Sequence, residues 1–246
     1  MNNSDTSNST SSAHSLLLAI ELSNPNATVG AHAAALFSMN TKECALIGSM
    51  PIPEGIKSSD GIMILIQSIC NAQQVNPSDI GSIAVSVGPG GYTALRIACT
   101  TAKVLAQSLD CELFAIPTSK IAAQAIEADQ CPALIALASK NDRAYCAIVE
   151  KDGSIEDIGM SDASVLDQFA SDQVVLRSFV ADSHAPSSFV EKATELGISV
   201  LPIVLDARSC LNAMDGVEAC NPMELKPLYA REPDAVTQWR ARSRTK

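Results

Sequence analysis

The residues in this chain best suited to chemistry are Gly88, Pro89, Gly90 and Gly91, followed at once by Tyr92, Thr93 and Arg96. Residues 82–87 alternate Ile83, Val85 and Val87 with Ala84 and Ser86, which reads as a strand. Ala94 to about Leu109 reads as a helix with Thr93 as its N-cap. Pro89 suits the second position of a turn, and Gly90 supplies the positive φ that a type II turn needs next. A strand–loop–helix of this kind aims unpaired N–H groups and a positive helix end at one point, a seat for an anion such as phosphate. Gly90 and Gly91 would let a ligand, or another backbone, come close. Arg96 falls in the first helical turn, where the macrodipole disfavours a cation. An anionic partner would offset that; the alternative is an ordinary surface ion pair.

Other reactive side chains are sparse. Cys44, Cys70, Cys99, Cys111, Cys131, Cys146, Cys210 and Cys220 include no CxxC pair and mostly sit among apolar residues. They read as reduced core residues, neither a disulfide framework nor a zinc site, so no metal is expected. His14, His32 and His184 read as surface or packing residues. Neither a zinc motif nor a nucleophile–base pair is visible, which leaves peptidase chemistry without support.

The elements that must carry the loop follow the order strand, strand, strand, helix, strand, helix, strand, helix. Leu16 to Glu21, Thr28 to Phe37 and Glu43 to Met50 form an expected antiparallel meander. Ser58 or Ser59 caps a helix to about Val75, with Ile62, Leu65, Ile66 and Ile69 on one face. Met63 and Ile64 are apolar too and fall elsewhere on the wheel, so a second face is buried, either by the chain's own domain or by a partner. Ala94, Ala98, Ala102 and Ala106 make a flat ridge on the next helix, for the chain's own sheet or for another helix. Glu112 to Ile116 is a strand, and Thr118 caps a helix from Ser119 to about Ala128. A shorter echo follows: strands at Ala133–Ala138, Ala144–Glu150, Val174–Arg177 and Val200–Val204, and helices at Ser161–Ala170, Pro186–Gly197 and Asp206–Met214. The order implies an α/β protein with mixed sheets and helices on their faces.

Composition bounds the function. The chain has 246 residues, 47 % of them apolar, enough for one large domain or two lobes. No apolar run is long enough to span a bilayer, no signal peptide is evident, and the cytoplasm is the expected compartment. Net charge is −10, and the last seven positions hold Arg240, Arg242, Arg244 and Lys246. The other 239 residues therefore carry 13 basic against 27 acidic groups, a body that repels nucleic acid. Residues 1–14, rich in Ser, Thr and Asn, read as a disordered tail. The basic end, with Trp239, is either a solvated terminus or an RNA-phosphate contact with a stacking residue.

Leu17–Ser23, Ile83–Ile97 and Thr101–Ala106 together resemble the TsaB (YeaZ) family, in the glycoprotease-like branch of the actin/Hsp70/sugar-kinase superfamily. Lys140–Tyr145 resembles a hairpin of that family, and Pro227-Leu228-Tyr229-Ala230-Arg231 resembles its terminal P-x-Y-x-R segment. The resemblance implies an actin-like fold of two RNase H-like lobes, here 15–128 and a shortened 129–233, with tails at 1–14 and 234–246. It implies a scaffold without activity of its own, a subunit in making N6-threonylcarbamoyladenosine at position 37 of tRNA. The implied partners are a TsaD-like transferase and a TsaE-like ATPase, with tRNA reached through the complex and a homodimer formed without the partner. The implied partner surface is the two first-lobe helices, with Ile62, Met63, Leu65, Ile66, Ile69, Ala94, Ala98, Ala102 and Lys103. The superfamily's first loop carries Asp where this chain has Glu21, and the transferase's His-x-x-x-His pair has no counterpart in the Ser58–Val75 helix. Any ATP or ADP with magnesium would sit weakly at Gly88–Gly91, Thr93 and Glu21, with Asp142 a second candidate carboxylate. The competing expectation is a nucleotide-hydrolysing enzyme or a glycoprotease-like peptidase of the same superfamily.

Overall fold

Leu16–Ile20 (β1) is buried at all five positions, because apolar layers cover both of its faces. The chain is described by a computed structural model over residues 16–24, 30–40, 43–53, 58–171 and 175–231. The expected tails, and with them His14, Trp239, Arg240, Arg242 and Arg244, lie outside the described residues.

β1 pairs antiparallel with β2 (His32–Asn40), which pairs antiparallel with β3 (Glu43–Pro51). On its other side β1 runs parallel to β4 (Ile80–Gly88), and β4 parallel to β5 (Glu112–Pro117), giving the order β3-β2-β1-β4-β5. Helices α1 (Ser58–Ala72), α2 (Tyr92–Leu109) and α3 (Thr118–Ala123) join these strands. The second sheet repeats the plan with β6 (Ala133–Lys140) at its centre. β7 (Arg143–Val149) and β8 (Ile155–Ser161) pair antiparallel on one side, β9 (Ser178–Ala181) and β10 (Ser199–Pro202) parallel on the other. Its helices α4 (Val165–Ser171), α5 (Ser187–Glu195) and α6 (Cys210–Ala213) are short. The result is the expected α/β architecture of two mixed sheets with flanking helices. Among the described residues no helix is long and apolar enough to cross a membrane.

Strand periodicity of two divides the apolar residues into three cores. Leu16, Leu18 and Ile20 join Ile83 and Val85 under α1 and α2. Leu17 and Ala19, on the opposite face, join Phe37 and Ile116 and meet Ile135, Leu137 and Val180 of the second sheet. Leu134 and Ala136 face the other way, with Phe179 and Phe189. The central layer therefore belongs to both sheets.

Several local expectations change. Of the expected strand Val174–Arg177, Val174 lies outside the described residues and 175–177 are not strand: β9 begins at Ser178, where Phe179 and Val180 enter two cores, and Val175 is 73 % exposed. β8 is absent from the sequence reading because its segment, Ile-Glu-Asp-Ile-Gly-Met-Ser, is a polar edge strand that buries no residue fully. α3 ends at Ala123, five residues early, and Pro117 precedes it as N-cap. Thr118 is helical rather than capping, and its buried Oγ1 has no hydrogen-bond partner among the described residues.

Candidate functional site

The glycine loop closes on the chain's own backbone. The Gly91 N–H donates to Ser23 O at 2.6 Å, and Gly91 O accepts from Leu95 N at 3.0 Å. Those two bonds make Gly91 the N-cap, so α2 begins at Tyr92, and Thr93, expected as the cap, is an exposed residue of the first turn. A Cβ on Gly90 would lie 2.3 Å from Ser23 O, whereas one on Gly91 would lie 3.5 Å away. The positive φ expected of Gly90 belongs instead to Gly88, at +109°. A Cβ on Gly88 would also lie 2.5 Å from Leu228 O. The Gly88–Pro89 peptide is cis. Both close approaches are therefore made by backbone.

Leu228 belongs to a C-terminal strap that the sequence reading had as a motif without a place. Cys220 N donates to Leu113 O at 2.8 Å, Lys103 Nζ to Met223 O at 3.3 Å, and Leu228 N to Val87 O at 2.6 Å. Tyr229 then stacks on Tyr92 with ring centroids 4.9 Å apart. Among the described residues Arg96 has no ion pair, and its neighbour is an aromatic ring. Its guanidinium lies 5.4 Å from the Tyr92 ring centroid, and Nη1 is 3.4 Å from the Tyr92 hydroxyl.

Glu21 lies where β1 ends, buried, with Oε1 accepting from Ser23 N at 2.6 Å and Ser23 Oγ at 2.5 Å. Oε2 is buried and has no close hydrogen-bond partner among the described residues. Burial raises the carboxyl's pKa above the ordinary range, the Ser23 and Ser86 hydrogen bonds pull against it, and nearby Asp206 adds repulsion. A small cavity of about 110 Å³ adjoins it, lined also by Asn24, His32, Ile52 and Leu205. The neighbouring acids are already committed. Burial works against Asp206 ionising, but hydrogen bonds from the Arg208 side chain and N–H and from the His32 N–H hold its carboxyl below its usual value. Asp182 accepts from Asn24. His32 Nδ1 lies 2.6 Å from Ser49 Oγ, a cross-strand contact on β2 and β3. Asp206 bonds the His32 backbone, not its ring, so this pair lacks the acid that would orient a base.

These residues do not fit a metal–nucleotide complex. Burial works against ionisation of one carboxyl, and the others are held by the chain's own donors. Among the described residues no group of three His, Cys, Asp or Glu side chains could hold a metal ion. Asp142, the second carboxylate candidate, accepts from Ser188 Oγ on an exposed turn. The eight cysteines are free; burial pushes the Cys99 and Cys146 thiols up to about 12.

The helix faces need a correction. Ile62, Leu65, Ile66, Ile69, Ala98 and Ala102, expected at a partner surface, are buried in the chain's own first core. The alanine ridge serves that core, and Ala94 and Lys103 are half-buried. The outward faces carry Met63 and Ile64 on α1, 51 % and 56 % exposed, and Val104 on α2, 53 % exposed. Val104 was missed; the signal was an apolar residue standing off the alanine row. Beside it, Tyr92, Thr93, Arg96, Ile97, Thr100 and Thr101 line an open cleft of about 420 Å³.

Comparison with known proteins places this geometry. The model of the family TsaD, tRNA N6-adenosine threonylcarbamoyltransferase, matches residues 48–194, more than half of the chain. The tRNA threonylcarbamoyladenosine biosynthesis protein TsaB of Bacillus subtilis (strain 168) is 43 % identical over 54 residues, 22 % of this chain. That match spans about a quarter of the relative, 24 % of its length. The crystal structure of an uncharacterized protein similar to peptidase YeaZ, from Pseudomonas aeruginosa, superposes with a TM-score of 0.61 at 16 % identity, covering 88 % of this chain and all of that one. YeaZ from the same organism gives 0.62 at 17 % identity over 87 % of this chain and 99 % of its own. The two structures share the fold, the family model spans the glycine loop with α1 and α2, and the chain belongs to the family that the TsaD, tRNA N6-adenosine threonylcarbamoyltransferase, model describes.

Proposed function

We propose that this chain is a non-catalytic scaffold in the synthesis of N6-threonylcarbamoyladenosine in tRNA, and that it docks a TsaD-like transferase through the outward faces of α1 and α2. One observation carries the reading: Met63, Ile64 and Val104 are exposed on helices whose other faces already fill a core. An apolar surface of this kind is stabilised when another helix covers it. Ala94 and Lys103, half-buried at its margin, belong to the same surface in this reading. Family membership supports the pathway, and the committed carboxylates around Glu21 support a role without catalysis. The loop of Gly88, Pro89, Gly90 and Gly91, with Thr93, serves in this reading to fix α2 to the sheet. A TsaE-like ATPase joins the pair in the cytoplasm. tRNA is held by the assembly, because the body of this chain is strongly acidic. A homodimer through the same faces forms where the partner is missing.

Co-purification with the TsaD-like protein of the same organism tests the proposal. The native chain is expected to co-elute with it. A chain carrying Met63→Asp and Val104→Glu is expected to elute alone with an unchanged melting temperature, since both positions are exposed. No association of the native chain in any nucleotide state would overturn the scaffold reading.

A further inference from the structure

In a chain of net charge −10, α2 carries no acid over its 18 residues. Its two cations, Arg96 and Lys103, stand two turns apart on one face. The strap beside this face adds Lys226 and Arg231, both exposed, against the single acid Glu224. Cations elsewhere in the molecule differ: Lys192 pairs with Asp167, and Arg208 with Asp206. Arg96 instead rests on the ring and hydroxyl of Tyr92, and Lys103 donates to the Met223 carbonyl. Neutral groups thus hold both side chains in place without cancelling their charge. Each keeps further N–H donors for an anion.

The space between the two cations is shaped. The 420 Å³ cleft and a second of about 180 Å³ share Arg96 and Thr100 as a common wall. The second runs between α2 and the strap, from Arg96 to Lys103, past Pro227 and Tyr229. Among the described residues no Asp or Glu lines either cleft. Pro227 and the Tyr229 ring supply apolar surface there, and Thr93, Thr100 and Thr101 supply hydroxyls.

We propose that this groove binds an extended acidic segment of a partner protein. One carboxylate lies at Arg96 and a second at Lys103, with an apolar side chain between them against Pro227 and Tyr229. Seven helical residues set the cations about 10.5 Å apart along the axis. Three residues of extended chain span about 10 Å, so carboxylates at every third position match. The threonine hydroxyls serve the segment's backbone groups. A nucleic acid fits less well, because its repeated charge would run on over the acidic body of this chain.

The probe is the peptide Glu-Phe-Pro-Glu-Phe-Pro-Glu, its binding to the full chain measured by isothermal titration calorimetry. Affinity is expected to fall about tenfold in Arg96→Glu and in Lys103→Glu, and about as much when glutamine replaces the peptide's glutamates. Thr100→Lys, at an exposed position in the common wall, is expected to tighten it. A charge swap guards against loss of fold: the double variant Arg96→Glu, Lys103→Glu is expected to bind the same peptide with lysine for glutamate, which the native chain rejects. Peptide binding is independent of the scaffold reading: Met63→Asp, on α1, is expected to leave it unchanged. No binding of the acidic peptide, equal binding of the glutamine peptide, or an affinity that neither reversal moves would overturn the proposal. So would tighter binding of single-stranded RNA of the same length, which would make the groove a nucleic-acid site. A dimer that the peptide dissociates in sedimentation would also overturn it, with a second copy as the occupant.

Discussion

Single positions show how a loop that reads as a ligand cradle serves packing. Gly90 faces Ser23 O at a distance no side chain tolerates, while Gly91 has ordinary contact distance there. Gly90→Ala is therefore expected to destabilise the fold by about 1–3 kcal/mol, through forced backbone movement. Gly91→Ala should cost about 1 kcal/mol or less, as a poorer N-cap. Urea unfolding of the two variants measures the difference, and equal losses would mean that Ser23 does not set the requirement. Glu21 gives a prediction with a sign. Its folded-state pKa is raised, so the unfolded chain releases this proton first. Stability from this group is full at low pH and declines as pH rises from the ordinary value, 4.5, toward the folded pKa. Each tenfold difference in proton affinity is worth about 1.4 kcal/mol. Glu21→Gln keeps an acceptor for Ser23 and cannot ionise, so its stability advantage over the native chain should grow between pH 4.5 and pH 8. A denaturant midpoint that differs equally at both pH values would refute a raised folded-state pKa for Glu21.

Elements explain what was legible in the sequence and what was not. β1, β4 and α1 could be read because their apolar residues repeat at the period of the element itself. The helix–sheet order around the glycine loop followed from the same signal, and so did the two-sheet plan. The start of α2 could not be read locally: it depends on Gly91 bonding Ser23, a residue 68 positions earlier in the chain. The strap could not be read either, because Leu228 satisfies Val87 O from 141 positions away, with the whole second sheet between them in the sequence. Periodicity also cannot tell an apolar face that meets the chain's own sheet from one that meets a partner. Ile62 and Met63 are adjacent and similarly apolar, yet one is buried and the other half exposed. Ala98, Ala102 and Ala106 of the alanine row meet the chain's own core in this way. Small residues at a spacing of four allow close approach, and the nearest surface was the chain's own core.

At the scale of the molecule, the two sheets repeat one topology but do not keep separate cores. Phe37, Leu17 and Ile116 of the first sheet share a buried layer with Leu137, Ile135 and Val180 of the second. That layer has no second occupant if either sheet opens, so exposing one half strips apolar cover from the other. Hydrogen bonds add to this coupling across the sheets: Ser119 Oγ donates to Asp157, Lys120 Nζ to Asp215 O at 2.9 Å, and the His32 N–H to Asp206. The two units should therefore unfold together, although each carries its own outer core and helices. Calorimetry of the full chain is expected to give one transition, with calorimetric and van't Hoff enthalpies in agreement. Phe37→Ala, which hollows the shared layer, should cost about 3–5 kcal/mol and lower that single transition without splitting it. Phe189→Ala, in the outer core of the second sheet alone, should lower the same transition. Two resolved peaks, with only the later half of the chain responding to Phe189→Ala, would show that the sheets are independent and that the shared layer adds little.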